Sequence, residues 1–254
     1  MKTTSLAAGA LMMGLALSLS ARADVQAAEL QVLAGGAMTA PLKELAAQFE
    51  SASGHKVVFR FGTTPELIKL ATSGEPFDLG IVPVDVMKDA NAQGQFAPGP
   101  STTIARVGLG VAVRAGAPKP DISTPERLKQ TLLDAKSVAT IPASATGTQV
   151  LRVFEILGIS AAMTTKTKAQ PTPAKVVQVV ADGEVELGVF LLNVLTAPGL
   201  DVVGPFPAEV QQEVVFTAAL AARSKEGEAA KTFIDYLKAP AAADLIKTKG
   251  MTPG

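Results

Sequence analysis

The chain has 254 residues, and its 23 basic and 23 acidic side chains give a formal net charge of zero at neutral pH. This balance provides no basic surface for nucleic acid or an anionic membrane, so we expect neither as a partner. The chain has no cysteine, which excludes disulfides and thiol nucleophiles, and no tryptophan, which excludes tryptophan platforms for sugars. Its single histidine, without cysteine, excludes zinc sites built from histidine and cysteine. We expect no metal and no other cofactor.

The first residues have the three-part layout of a secretory signal peptide. Lys2 precedes an uncharged, mostly apolar run over 6–19, and Ala21-Arg22-Ala23 places small residues where a signal peptidase reads them. The run is shorter than the roughly 20 apolar residues that span a membrane as a helix. We predict cleavage after Ala23, or alternatively near Ala28, followed by release into the periplasm without membrane insertion. The alternatives are a membrane anchor or a buried first helix.

Short apolar strands alternate with helices in the next segment. Thr39 is the predicted N-cap of the first helix, Pro41 lies in its first turn, and His55 is predicted in a surface turn before the second strand. This alternation is typical of parallel β-α-β units with both sheet faces covered. The predicted strands are 30–34, 56–61 and 78–82, and the predicted helices are 39–49, 66–73 and 84–92.

The pattern restarts after a long apolar run over 102–113, which contains two glycines and could cross between two lobes. Ser123 is the predicted N-cap of the helix that follows. The later predicted elements are helices 124–133, 149–157, 174–182, 225–237 and 240–249, and strands 137–141, 166–170, 185–191 and 214–221.

The order of these elements predicts two α/β lobes, the second inserted into the first. Residues 1–23 are the signal peptide, 24–107 and 216–254 form lobe 1, and 108–215 form lobe 2. The chain is predicted to cross between the lobes near 106–110 and near 214–218.

Three predicted strand-to-helix turns consist largely of glycine, alanine, serine and threonine. They span 35–39 and 62–64 in lobe 1 and 144–148 in lobe 2. Each offers backbone N–H groups at the positive end of a helix, together with hydroxyls and little bulk, which suits an anion bound without a charged side chain. A ligand between them would be held from both lobes. The alternative is that small capping residues simply begin helices.

Two further side chains are candidates for ligand contact. Arg60 lies in a strand that we expect to be buried on both faces, where a guanidinium needs a carboxylate or a ligand oxyanion. The alternative for Arg60 is an edge position with its head in solvent. Asn193 is a weaker candidate, whose alternative role is to cap a turn.

Several segments together resemble the periplasmic molybdate-binding protein family, the solute receptors of molybdate ABC transporters. The segments are VLAGGAMT at 32–39, FGTT at 61–64, FDLGI at 77–81, VELGV at 185–189 and FIDYLKAPAAA at 233–243. The resemblance runs along nearly the whole mature chain. It implies a two-lobed type II periplasmic binding protein fold, with a mostly parallel sheet flanked by helices in each lobe and two hinge crossings. It also implies a monomer that closes on its ligand and docks on an ABC permease in the inner membrane.

The ligand contacts of that family carry over only in part. Its first serine falls at Ala37 and its tyrosine at Leu191, so both hydroxyls are lost, and a backbone contact falls near Pro173, which has no N–H. Its second serine falls at Thr64, and the amides of its second lobe fall at Thr146-Gly147. The chain therefore resembles a divergent member whose ligand is a molybdate-like oxyanion or an organic carboxylate.

The sequence thus predicts an exported, non-catalytic receptor that captures a small anion between two lobes for an ABC importer. Alternatives are a periplasmic ligand-sensing or interaction module, and an α/β hydrolase. The hydrolase would have to use His55, the single imidazole, and no G-x-S-x-G motif is present. The predicted ligand-binding residues are Gly36, Ala37, Met38, Thr39, Thr63, Thr64, Ser144, Thr146, Gly147, Thr148, Pro173 and Leu191, with Arg60 and Asn193 as possible additions.

Overall fold

The computed structural model describes residues 27–254, so the predicted signal peptide lies outside the described residues. The strands are β1 Glu29–Gly35, β2 Lys56–Gly62, β3 Leu79–Pro83, β4 Thr102–Arg114, β5 Val138–Thr140, β6 Thr167–Ala169, β7 Leu187–Leu191, β8 Leu200–Pro205, β9 Glu213–Leu220 and β10 Thr252–Pro253. The helices are α1 Thr39–Ser53, α2 Thr64–Thr72, α3 Val84–Lys88, α4 Pro125–Asp134, α5 Ala145–Ile156, α6 Ser160–Lys166, α7 Pro173–Ala181, α8 Leu192–Leu195, α9 Gly227–Lys238 and α10 Pro240–Thr248. None of these described helices is both long and apolar enough to cross a membrane.

The strand pairings form two lobes that share the long strand β4. In the first lobe β2, β1 and β3 are parallel, and β9 joins β3 antiparallel. The first half of β4, up to Gly108, pairs with β9, whereas the second half, from Leu109, pairs with β7 and β8. In the second lobe β5 is parallel to both β6 and β7. The long apolar run therefore crosses between the lobes as predicted, and the chain returns between β8 and β9.

The predicted limits of the lobes remain a proposal for the domain boundaries. Strand β4 changes partners between Gly108 and Leu109, next to the proposed boundary at 107/108. On the return, β9 already belongs to the first sheet from Glu213 onward, so the second boundary lies close to the proposed 215/216.

Helix α1 packs against the C-terminal helices of the chain within the first lobe. Its residues Leu42, Leu45 and Phe49 follow helical spacing and are buried. The Phe49 ring lies 4.8 Å from the ring of Phe233 on α9, near the end of the chain. This packing fixes α1, and hence the turn before it, against the C-terminal helices.

The predicted surface position of His55 is wrong. The side chain is only 5% exposed, and its ring stacks on Phe49 at 5.8 Å. Its Nδ1 accepts a hydrogen bond from the Ala28 N–H at 3.1 Å. Because this amide precedes β1 at the start of the described chain, His55 anchors that segment to the lobe. The position directly before β2 is as predicted.

The expected burial of Arg60 on both faces is also wrong. Strand β2 has β1 as its sheet neighbour and forms one edge of the sheet, so its residues are partly exposed. Arg60 Nη1 lies 2.6 Å from Glu75 Oε2, and Nη2 donates to the Pro76 carbonyl at 2.8 Å. A carboxylate of the protein thus already pairs with this guanidinium.

The caps of α1 and α4 and the start of α5 differ from the prediction. A 3-10 turn at Gly36–Met38 precedes α1, so Met38 is the N-cap and the Thr39 hydroxyl instead donates to the Gly36 carbonyl at 2.7 Å. Thr124, not Ser123, caps α4. Helix α5 begins at Ala145, so most of the predicted turn over 144–148 is helical. The short elements α6, α8 and β10 were not predicted, because segments of two to seven residues hardly display a hydrophobic period.

Candidate ligand-binding cleft

A small cavity of about 30 Å³ lies where helix N-termini from both lobes meet. We call it the inner cavity. It lies at the carboxyl ends of the parallel strands, the usual place for ligands in open α/β sheets. Each of its described lining residues is uncharged. They are Gly35, Gly36, Ala37, Gly62, Thr63, Thr64, Pro83, Ile141, Ser144, Ala145, Thr146, Pro173, Phe190 and Phe216.

One hydrogen bond joins the lobes directly at this cavity. The Ala145 N–H at the start of α5 donates to Thr64 Oγ1 at the start of α2, at 2.8 Å. A hydroxyl that accepts one hydrogen bond still carries its own donor hydrogen. Thr64 can therefore hold α5 and donate to a ligand at the same time.

The first turn of α5 leaves one amide open. Ser144 is the N-cap, and its Oγ accepts from the Gly147 N–H at 3.0 Å and donates to the Ile141 carbonyl at 2.8 Å. The Thr146 N–H has no acceptor among the described residues, as expected for an amide in the first turn of a helix. Ser144 and Gly147 thus build the turn, and Thr146 supplies the free amide at the cavity wall.

Gly147 is required by close packing. A Cβ at this position would overlap the Ile141 carbonyl oxygen and the Pro142 backbone. Because this contact seats the α5 N-terminus on the end of β5, a side chain here would push the helix away from Thr64.

A second cross-lobe contact holds the turn after β1. Asn193 Nδ2 donates to the Ala37 carbonyl at 2.7 Å, and this acceptor fixes which side of the amide faces Ala37. Asn193 Oδ1 is buried without a partner in the described part of the chain. The Pro173 ring packs on the same turn, because a Cβ at Gly36 would lie 3.4 Å from Pro173 Cγ.

A larger cavity of about 700 Å³, which we call the outer cavity, adjoins the inner one between the lobes. The two cavities share Gly36, Ala37, Gly62, Thr63 and Pro173. Most of its other walls are apolar, from Ala40, Pro41, Phe61, Ala174, Val177, Val194, Ala197 and Pro198. A volume of this size is typical of small-molecule sites.

Two charged side chains line the outer cavity, Glu66 and Lys249. Glu66 Oε2 accepts from the Thr63 N–H at 2.7 Å and from the Thr63 hydroxyl at 2.8 Å. Both hydrogen bonds hold the pKa of Glu66 below its ordinary value, and the bond from the backbone N–H has the larger effect. Lys249 Nζ lies 2.6 Å from Glu44 Oε2. Both charges therefore already have partners in the protein.

Comparison with known proteins decides the family. A family model described as bacterial extracellular solute-binding protein matches residues 30–252. This chain belongs to that family. The solute-binding protein is 35% identical over 233 residues to aconitate isomerase from Pseudomonas sp, covering 88% of this chain and 87% of that protein. It is 30% identical over 231 residues to the molybdate-binding protein ModA of Azotobacter vinelandii, and the match covers 89% of this chain and 90% of that protein.

Solved structures agree on the fold. The solute-binding protein superposes on the periplasmic molybdate-binding protein of Azotobacter vinelandii with a TM-score of 0.75 at 22% identity, covering 89% of this chain and 99% of the other. A structure of PEB3 with L-phospholactate matches with a TM-score of 0.68 at 13% identity, and the match covers 89% of this chain and 100% of the other. These structures confirm the two-lobed type II fold. The family model and the similarity to ModA confirm the family resemblance and favour the receptor over the hydrolase and the sensing module.

The structure places the sequence-predicted site residues of the solute-binding protein in three groups. Gly36, Ala37, Thr63, Thr64, Ser144, Thr146 and Pro173 line the inner cavity, and Thr39 and Asn193 line the outer one. Met38, Leu191 and Gly147 are buried away from both cavities, the first two in the core and the third in the first turn of α5. Thr148 faces a different cavity on the outside of lobe 2, and Arg60 pairs with Glu75.

Sequence reasoning missed the apolar and charged walls. Phe190 and Phe216 line the inner cavity, although each reads as an ordinary core residue within an apolar strand. Glu66 carried one usable signal, because a glutamate three residues after Thr63 matches a capping box. Lys249 gave none, because a lysine at the end of a helix is expected on general grounds.

Proposed function

We propose that this chain is an exported receptor that captures a small anion in the inner cavity and delivers it, as a monomer, to the permease of an ABC importer. One observation carries the proposal. The Thr64 hydroxyl and the Thr146 N–H, from opposite lobes, line the same uncharged cavity, and each has a hydrogen to donate. Donors at helix N-termini attract an anion, and donors from two lobes favour the closed state when an anion binds both. Export depends on the proposed signal peptide at 1–23.

We propose an organic carboxylate as the ligand in preference to molybdate. At the inner cavity Ala37 offers no hydroxyl and Pro173 offers no N–H, so a desolvated tetrahedral dianion would be short of donors. The inner cavity of about 30 Å³ has room for about two waters. That space suits the two oxygens of a carboxylate better than the five heavy atoms of molybdate. The similarity to a protein named aconitate isomerase supports the same choice.

We further propose that binding occurs without turnover. Moving a double bond along a carbon chain requires a base that removes a proton. Glu66 is the acidic side chain at the cleft, and its hydrogen bonds from Thr63 lower its pKa, which makes it a weak base. His55 is buried against Phe49, at the opposite ends of the strands from the cleft.

The proposal is tested by thermal unfolding of the exported, dialysed protein against molybdate, tungstate, sulfate, phosphate and mono-, di- and tricarboxylates. A ligand at 100 times its Kd adds about 2.7 kcal/mol to the free energy of unfolding. For a chain of this size this raises the Tm by roughly 5 to 10 °C. A shift with carboxylates is expected, and a shift with molybdate or tungstate alone would overturn the choice of ligand.

A second assay tests for turnover. The protein is incubated with cis-aconitate and with trans-aconitate, and the two isomers are then separated by chromatography. We expect no interconversion above a buffer blank. Conversion that scales with protein concentration would overturn the non-catalytic part of the proposal.

A further inference from the structure

The outer cavity is larger than a simple oxyanion or a single carboxylate needs. It has a volume of about 700 Å³ and adjoins the inner cavity, with which it shares five lining residues. An anionic group held by Thr64 and Thr146 would therefore leave the rest of the ligand in this second space. What lines the outer cavity decides what that remainder can be.

Lys249 is the one cation among the described residues that line the outer cavity. It follows the last residue of α10 and is 34% exposed. The next residue, Gly250, turns the chain with a φ of +74° and lies against the other lobe, where an added Cβ would be 3.8 Å from Asn193 Cα. Lys249 therefore stands at the rim where the first lobe meets Asn193 of the second.

The Lys249 ammonium is held by a partner that a ligand could replace. Glu44 on α1 pairs with it at 2.6 Å, but the Glu44 side chain is 48% exposed and does not line the cavity. Ion pairs this exposed contribute little to stability, so exchanging or sharing Glu44 costs little. Glu66 is the other charge in the lining, and its carboxylate is directed onto Thr63 at the N-terminus of α2, where the helix dipole offsets it.

We infer that Lys249 receives a second carboxylate of the ligand, so that the cargo is a di- or tricarboxylate. The first carboxylate occupies the inner cavity, the carbon chain lies along the apolar walls of the outer cavity, and the second carboxylate reaches Lys249 beside Glu44. Charge-assisted hydrogen bonds of this kind are about twice as strong as neutral ones. This inference rests on the proposed function, since it requires an anion in the inner cavity.

Calorimetric titration with tricarballylate, succinate and butanoate tests the inference, because these probes differ in the number of carboxylates. Wild-type protein is expected to bind tricarballylate or succinate at least about tenfold more tightly than butanoate. Lys249→Gln should remove most of this preference while changing the affinity for butanoate less than about twofold. Glu44→Gln, which frees the ammonium and removes a competing carboxylate, should strengthen binding of the polycarboxylates.

Lys247→Gln is the matched control. Lys247 lies on α10, two residues before Lys249, and pairs with Asp244 at 3.1 Å, but it does not line the cavity. This variant should bind all three probes like the wild type. The inference is overturned if Lys249→Gln weakens butanoate and tricarballylate equally, or changes neither. Binding of molybdate or butanoate without any preference for polycarboxylates would overturn it and leave the receptor proposal standing, whereas no binding of any anion would overturn both.

Discussion

Thr64 and Ala145 are 81 residues apart in the chain, and a 2.8 Å hydrogen bond joins them across the cleft. The bond connects the N-termini of α2 and α5, one from each lobe. Because the Thr64 hydroxyl accepts this bond, its own hydrogen is polarised for donation to an acceptor beyond it. The same hydroxyl can therefore take part in the contact between the lobes and in the binding of an anion.

Thr64→Val tests this relationship, because valine keeps the shape and removes the hydroxyl. The variant leaves the Ala145 amide without its acceptor and takes one donor from the ligand. Affinity for the bound anion should fall by about tenfold to a hundredfold, from the cost of unpaired buried polar groups. Isothermal titration measures it. Thr72→Val, at the exposed end of the same helix, is the control and should bind normally. Equal affinities of the Thr64 variant and the wild type would contradict the assignment.

Gly147→Ala should destabilise the second lobe. The added methyl group overlaps the Ile141 carbonyl oxygen, so the first turn of α5 has to move. Overpacking of this kind costs about 1 to 3 kcal/mol, which lowers the Tm by roughly 2 to 12 °C. Calorimetry is the measurement. Gly227→Ala at the start of α9 is the matched control, since a Cβ there meets nothing within 4 Å. A Tm unchanged by Gly147→Ala would mean that the turn relaxes freely.

His55→Ala separates stability from function. The substitution removes the acceptor of the Ala28 N–H and the ring that stacks on Phe49. We expect the free energy of unfolding to fall by about 1 to 3 kcal/mol and ligand affinity to stay unchanged, because His55 lies away from the cleft. Urea unfolding and ligand titration give the two quantities. A loss of affinity without a loss of stability would point to a functional histidine after all.

Glu66→Gln should change how the thermal stability of the protein depends on pH. Hydrogen bonds from Thr63 lower the folded-state pKa of Glu66 from its ordinary value of 4.5. A carboxyl with a depressed pKa contributes stability that is present above its unfolded pKa and is lost as the pH falls through the folded pKa. The wild type should therefore lose more Tm than Glu66→Gln as the pH is lowered below 4.5. Glu209→Gln, in the exposed loop between β8 and β9, controls for the loss of one charge. If the Tm of Glu66→Gln and the Tm of the wild type fall in parallel as the pH is lowered, the prediction is contradicted.

The sequence by itself determined the alternation of strands and helices and which small-residue segments connect a strand to a helix. These features depend on local signals, such as the apolar spacing along α1. The crossing through β4 was also predictable, because one apolar run is too long for a single small sheet. A local signal is sufficient wherever the interacting groups are three or four residues apart.

Only the tertiary structure decided which turns meet and which side chains are buried. The Asn193–Ala37 bond joins residues 156 positions apart, and the burial of His55 depends on Phe49 and on the start of β1. The same holds for Lys249, whose place beside Glu44 and Asn193 follows from the packing of α10 on α1 and on the second lobe. Such contacts form between segments remote in sequence, so no periodicity or capping pattern along the chain encodes the distances on which they depend.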